Sequence, residues 1–410
     1  MPEDVNLLDP DLFPRGSGPP REVFNAWRED DPLHWNPPNP DYPPPGVAVP
    51  TRGFYVLTRY KDVADVSRNQ RVFSSHPGGP IIWDWEGEPL RRQQAGLMGM
   101  PIEQHRAARR LVVPPFTRSE LMAFQPEIDA VAREIVDEVA GLGECEFVFD
   151  VASKLPVYTF CRLTGVPAEE RDTVARLGNL NADVESWGGP EEGSLTAELF
   201  RIAGEIAAEK RRRPDKSLMS RLANSEADGD RLDPMALNMF FVTMSIAGHE
   251  TTRSTAAHFV RLMNEHPDQY DLVRSDPDRR LPNAIEEVLR YAPPVVNFRR
   301  TVTEKVELHG TTLDVGDKIY LSYPAANRDP EMFPDPDRFD VTRENAARHL
   351  AFGIGPHSCI GARLARMQLF SLLREMIARM PDIRHGEIER MRSIWFDSVI
   401  RMPVTFTPEK

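Results

Sequence analysis

Residues 351–361 read AFGIGPHSCIG and set Cys359, one of three cysteines in a chain of 410 residues, among three glycines and a proline. Gly353, Gly355 and Pro356 impose a tight, irregular backbone, whereas Ile360 to Glu375 has the apolar spacing of a helix. Cys359 therefore stands at a helix N-terminus, where free N–H groups and the helix dipole favour thiolate over thiol. Such a sulfur is a nucleophile or a metal ligand. A zinc site would need further ligands, and neither Cys145 nor Cys161 forms a CxxC or CxxH partner for it. A thiol nucleophile would need a base, and His357 is poorly placed in such a bend.

The rest of the composition narrows the setting. Acidic residues outnumber basic ones 63 to 50, for a net charge of -13, which argues against a nucleic-acid partner. A hydrophobic share of 40% is enough for a sizeable core. Three scattered cysteines predict a reducing compartment rather than a disulfide framework. The opening MPEDVNLLDPDLFPRG shows no signal pattern, and nowhere do about 18 apolar residues run together. A cytoplasmic protein with no membrane span is expected.

Proline dominates NPPNPDYPPPGVAVP (36–50), so residues 1–50 are expected to be an extended segment packed on a single domain, 51–410. GFYVLTRY reads as a strand, KDVADVSRN as a helix start, and Val306 to Tyr323 as a β-hairpin. Most of the remainder has helical spacing. Asp233-Pro234 is an N-cap followed by proline at the first helical position, and the helix it opens can run to His266 before Pro267 stops it. That helix would span roughly 50 Å. Its middle, MFFVTMSIAG, is apolar on all sides, as a buried spine should be. The expected fold class is mainly α with a small β-rich part.

A single thiolate ligating haem iron needs neither partner cysteines nor a base. Phe352, Gly353, Gly355, His357, Cys359 and Gly361 resemble the Phe-Gly-x-Gly-x-His-x-Cys-x-Gly signature of the cytochrome P450 family. Further stretches resemble it in the same order. Glu287 and Arg290 look like its Glu-x-x-Arg pair, and Arg338 like the arginine that completes a buried charge network with them. His105 and Arg109 resemble the pair that binds the haem propionates, with Arg300 and His357 as further partners; the adjacent Arg299 leaves that register open.

The segment AGHETTR (247–253) begins an HExxH zinc motif that fails at its fifth position, where Arg253 replaces histidine. Ala247, Gly248, Glu250 and Thr251 instead resemble the family's Ala/Gly-Gly-x-Asp/Glu-Thr-Thr segment. Splitting an O–O bond needs protons in a site that excludes water. The resemblance therefore implies that Thr251 and Glu250 deliver them, with Gly248 leaving room at the iron.

By resemblance the protein is a haem b monooxygenase using O2, with the cytochrome P450 fold and the soluble bacterial type of organisation. The substrate pocket would be lined by the segments GGPIIWDWEG and AGLMGM before His105, with Ile82, Trp83 and Trp85, by Ile246, Ala247, Val295, Val296 and Phe298, and by the late loop SIWFDSV with Trp395 and Phe396. These apolar and aromatic residues suit a lipophilic molecule: a terpenoid, steroid or branched lipid, or else a polyketide-like scaffold. The sequence shows no flavin fingerprint or iron–sulfur cysteine set, so a ferredoxin-type donor with its reductase is implied, docking on Arg106, Arg109, Arg110, Arg363 and Arg366 of a monomer. A peroxygenase or rearrangement catalyst would have no use for Glu250 and Thr251. A haem sensor would carry a signalling module, which the sequence does not show.

Overall fold

The computed structural model describes residues 5–12, 20–42, 49–182, 192–225 and 233–409. The helices that position the site are α1 (Arg21–Asp30), α2 (Tyr60–Arg68), α3 (Ile102–Val112), α4 (Arg118–Val139), α5 (Pro234–Glu265), α6 (Pro277–Tyr291) and α7 (Ala362–Arg379). A five-stranded sheet contains β1 (Leu33–Asn36), β2 (Phe54–Leu57), β3 (Phe73–Ser74), β4 (Asn297–Val302) and, after the hairpin β5 (Val306–Leu308) and β6 (Thr311–Leu313), β7 (Lys318–Ser322). Its strand order is β1-β2-β7-β4-β3, with β2 and β7 parallel and the other neighbours antiparallel. The mainly helical architecture with a small β part is as the sequence predicts.

The described residues among the first fifty do not form only the extended segment expected of them. α1 buries Phe24 and Trp27, and β1 joins the sheet by pairing Leu33 with Leu57. The prolines cluster only past the end of β1, and residues 43–48 of that stretch lie outside the described residues.

α6 shows why these sequences form packed helices. Leu281, Ala284, Ile285, Val288 and Leu289 recur at i, i+3, i+4, i+7 and i+8 and are all buried, making one apolar stripe. That stripe joins Ile128 and Ile135 of α4, Phe241 and Val260 of α5, and Leu372 and Leu373 of α7 in one helical core. A second core packs Phe54, Val56, Ile319 and Leu321 of the sheet against α1 and Trp83. A large cavity takes its walls from elements of both.

α5 runs for 32 residues, with the Asp233 carboxylate accepting the Ala236 N–H at 2.9 Å and Pro234 in the first turn. These are the start and stop that the sequence predicts. Off the cavity wall, α5 buries two histidines. His258 Nε2–H donates to the Asp397 carbonyl (3.0 Å) while Nδ1 accepts from Arg261 Nε (3.4 Å), an arrangement that holds the neutral ring. Burial pushes His258 down to about 4, and burial together with Arg253 pushes His249 down to about 3.

Both values lie below the ordinary 6.5, so between them the unfolded chain binds protons that the fold refuses. This part of the stability is whole above pH 6.5 and is lost as the pH falls toward about 4; for His258 it amounts to roughly 3 kcal/mol. Thermal unfolding should therefore show a melting temperature that declines below pH 6.5, less steeply in His258→Gln. An identical slope in that variant would contradict the assignment.

Candidate active site

The cysteine loop is shaped by what its glycines permit. Gly353 and Gly355 have φ of +63° and +77°, in the left-handed region. A Cβ on Gly355 would lie 2.9 Å from the Ser67 carbonyl oxygen of α2, so only glycine lets the loop pass that helix. The Cys359 N–H donates to the Phe352 carbonyl at 2.8 Å, closing the loop. The N–H groups of Gly361 and Ala362, where α7 begins, point at the sulfur.

Cys359 lines the cavity and is the exposed one of the three cysteines. Burial pushes its thiol above the ordinary range, against the pull of those N–H groups and of Arg109 and Arg366. Burial thus works against the ionisation that the helix N-terminus favours.

The cavity has about 1490 Å³ of empty space, counting the space open to solvent. Phe352, Gly353, Cys359, Ile360 and Gly361 form one wall, and Ala247, Gly248, Thr251 and Thr252 of α5 form the other. A Cβ at Gly248 would meet nothing within 4 Å, so hydrogen at this position keeps the space between the walls open.

At one edge of the cavity His105, Arg109, Arg300 and His357 converge. The two imidazoles lie 4.3 Å apart, and neither nitrogen of His105 nor Nε of Arg300 has a hydrogen-bond partner among the described residues. Burial, with the surrounding guanidinium groups, drives His105 down to about 4 and His357 to about 2. Four cationic or protonatable groups share this edge without a carboxylate among the cavity's described lining residues. Such an edge fits a dianion held against an otherwise apolar cavity, as haem with its two propionates requires.

Of the two adjacent arginines, Arg300 is the one at the cavity. On β4 alternate residues face alternate sides, and Phe298 and Arg300 line the cavity. Arg299 turns away, its Nη1 donating to Asp84 Oδ1 (3.0 Å) and to the Trp83 carbonyl (2.8 Å).

The acid and the alcohol of α5 are not presented together. Thr251 is on the cavity wall, its Oγ1 donating to the Ala247 carbonyl at 2.6 Å. Glu250 is off that wall and buried; it accepts from Ser254 Oγ (3.0 Å), Ser398 Oγ and Arg253 Nη2. Burial would raise its carboxyl, but Arg253 and Ser398 outweigh burial and hold it below the ordinary range. Arg253, which broke the zinc motif, is thus the partner of Glu250.

The buried charge network needs a correction. Glu287 and Arg290 form a two-point pair at 2.7 and 2.8 Å, both fully buried. The third member is Arg343, whose Nε donates to Glu287 Oε1 at 3.2 Å. Arg338 contributes only its carbonyl, which accepts from Arg290 and Arg343, while its side chain is largely exposed.

The expected substrate pocket is corrected as well. Of the expected lining, Pro80, Leu97, Met98, Ala247, Val295 and Phe298 are found on the cavity. Ile82, Trp83, Trp85, Trp395 and Phe396 are packed into the sheet core, with Val296 buried beside them. Ile246 packs on the helical core, because it falls on a different face of α5 from Ala247. The sequence reading missed Phe240, Thr243 and Met244, although 240, 243, 244, 247, 248 and 251 share one helical face. It also missed Tyr323, whose ring is buried beside Arg300 at the cavity edge.

Comparison with known proteins identifies the family. The family model described as cytochrome P450 matches residues 197–380. A steroid C26-monooxygenase of Mycolicibacterium smegmatis is 31% identical over 99% of this chain and 95% of its own. The chain belongs to the cytochrome P450 family: it is a haem-thiolate monooxygenase of the kind that uses haem b and O2. A steroid C26-monooxygenase of Mycobacterium tuberculosis is 35% identical, covering 87% of this chain and 89% of that protein. Among solved structures, a Mycobacterium marinum cytochrome P450 in complex with pseudoionone superposes with a TM-score of 0.88, at 32% identity over 99% of both chains. A Bacillus megaterium enzyme in complex with testosterone gives 0.81, at 26% identity over 95% of this chain and 99% of its own.

Proposed function

We propose that Cys359 supplies the thiolate ligand of the haem iron. His105, Arg109, Arg300 and His357 hold the propionates, and Phe352, Gly353 and Gly361 on one side and Ala247 and Gly248 on the other bound the ring. What carries this reading is that a single cavity combines the cysteine sulfur, an unbalanced cationic edge and apolar walls. Haem b bound through a thiolate supplies the activation of O2 for insertion of one oxygen atom into a C–H bond. The chain's own residues bind the substrate, exclude water and handle protons.

Thr251 offers its hydroxyl at the wall, and Glu250, one residue earlier, is the nearby carboxylate that can carry a proton once it parts from Arg253 and Ser398. Thr251→Ala should keep haem and substrate binding while product formed per electron consumed falls severalfold. Unchanged coupling would remove Thr251 from the proton route.

The substrate is a neutral, bulky lipophilic molecule of steroid or terpenoid type. Leu97, Met98, Phe240, Met244, Val295 and Phe298 line its side of the cavity, and Thr243 supplies a neutral hydroxyl. The cationic groups among the described lining residues are those of the edge already assigned to the propionates, so a fatty-acid carboxylate has no separate anchor. The relatives named for steroid oxidation and the neighbours bound to testosterone and pseudoionone support this class. Optical titration with a 3-keto steroid carrying an alkyl side chain should shift the haem absorbance, and titration with palmitate should not. The reverse pattern would overturn the assignment.

Electrons come from a ferredoxin-type protein with its reductase. Of the arginines expected to dock it, Arg109 turns inward to the Ser358 carbonyl and Arg366 is held by Glu286. Arg106, Arg110 and Arg363 remain exposed, with Arg106 paired to Glu103. A monomer in the cytoplasm is consistent with a cavity built by one chain and with Cys145 and Cys161 as unpaired thiols pushed up to about 12 by burial. No helix among the described residues is long and apolar enough to cross a membrane.

A further inference from the structure

Behind the cysteine loop lies a charge pair that is not among the described residues lining the cavity. Arg366, one turn into α7, forks onto Glu286 of α6, with Nε 2.6 Å from Oε1 and Nη2 2.7 Å from Oε2. Glu286 is buried and is held down to about 2 against burial, chiefly by Arg366. His349 Nε2 stands 3.3 Å from Oε2. Its Nδ1 accepts the Ala351 N–H at 3.1 Å, which places the ring proton on Nε2 and leaves the imidazole neutral. The set therefore has no net charge.

Its position is what gives it a role. The Arg366 guanidinium lies over the Phe352 ring, 4.4 Å from the centroid, and His349 flanks the same ring at 5.6 Å. The Phe352 carbonyl is the acceptor for the Cys359 N–H. A structural ion pair has no need of this address against the ring and loop that present the sulfur.

We propose that Glu286 and Arg366 are positioning residues that set the reduction potential of the haem through the Phe352–Cys359 loop, with Glu286 cancelling a charge that would otherwise ease reduction. The proposal rests on Cys359 as the iron ligand. Reduction adds one electron at the centre, so an uncompensated cation behind the sulfur favours the reduced state and an uncompensated anion opposes it. The two single changes therefore act with opposite signs.

The test is a dye-mediated potentiometric titration of the haem-loaded enzyme, which needs no protein donor and so excludes effects on docking. Glu286→Gln should raise the potential, and Arg366→Gln should lower it. The double variant, neutral again, should return close to the wild-type value, and Arg366→Lys, which keeps the charge, should stay near it. Because Arg366 is about one-third exposed, the rise in Glu286→Gln should shrink as salt is added. Should Glu286→Gln not fold, Arg366→Gln against Arg366→Lys gives the same contrast.

Shifts of one sign in both single variants, no shift, or loss of the thiolate–carbon monoxide band in the variants alone would overturn the role. Loss of that band in the wild type would instead overturn the ligand assignment on which the role depends.

Discussion

Glu287→Gln is expected to cost about 3–5 kcal/mol of stability, the penalty for breaking a buried ion pair by removing one partner. The carboxylate it removes accepts from Arg290 Nε and Nη2, from Arg343 Nε and from the Asp340 N–H. Arg290 is fully buried, and its other donors are already committed to the Asn327 and Pro336 carbonyls. Its charge would have no compensation and no way to water. Arg343→Ala should cost less, since Arg290 keeps its pair, and Arg338→Ala should stay within about 0.5 kcal/mol because its side chain is outside the network. Denaturant unfolding of the three variants checks this order. A larger loss in Arg338→Ala than in Arg343→Ala would reverse the assignment of the third member.

Cys359→Ala should leave the fold intact and abolish monooxygenation. The loop is closed by backbone groups, Cys359 N–H to Phe352 O and Gly353 N–H to Leu350 O, which do not involve the sulfur. The removed atom faces the cavity and not a packed core, so the change carries no large packing penalty. What disappears is the ligand. Far-ultraviolet circular dichroism should match the wild type, while product formation from a steroid substrate falls to background. A variant that still turned substrate over would show that Cys359 is not the group on which the chemistry depends.

Much of this site was legible because its parts are local. The glycines and proline of AFGIGPHSCIG announce a bend before a helix, and Asp233-Pro234 and Pro267 mark both ends of α5, as found. Other signals were present but not followed through. Period-two alternation puts Phe298 and Arg300 on one side of β4, so a reading that placed Phe298 in the pocket already excluded Arg299 from the cavity edge. Helical period likewise separates Ala247, Gly248 and Thr251 from Ile246 and Glu250.

The remaining differences come from tertiary structure. Apolar side chains look alike whether they line a cavity or fill a core, which is why Trp83 and Phe396 were expected at the substrate and are found in the sheet core. Arg338 and Arg343 flank the same irregular stretch, and only its path back to α6 decides which guanidinium reaches Glu287. Arg366 was expected on a docking surface. Its partner Glu286 lies 80 positions away, beyond any local pattern.

The most direct measurement is the carbon monoxide difference spectrum of the reduced, haem-loaded protein. Ligation through the Cys359 thiolate predicts a band at about 450 nm in the wild type and none in Cys359→Ala. A wild-type protein with a full complement of haem and no such band, or a Cys359→Ala variant that keeps it, would contradict the assignment.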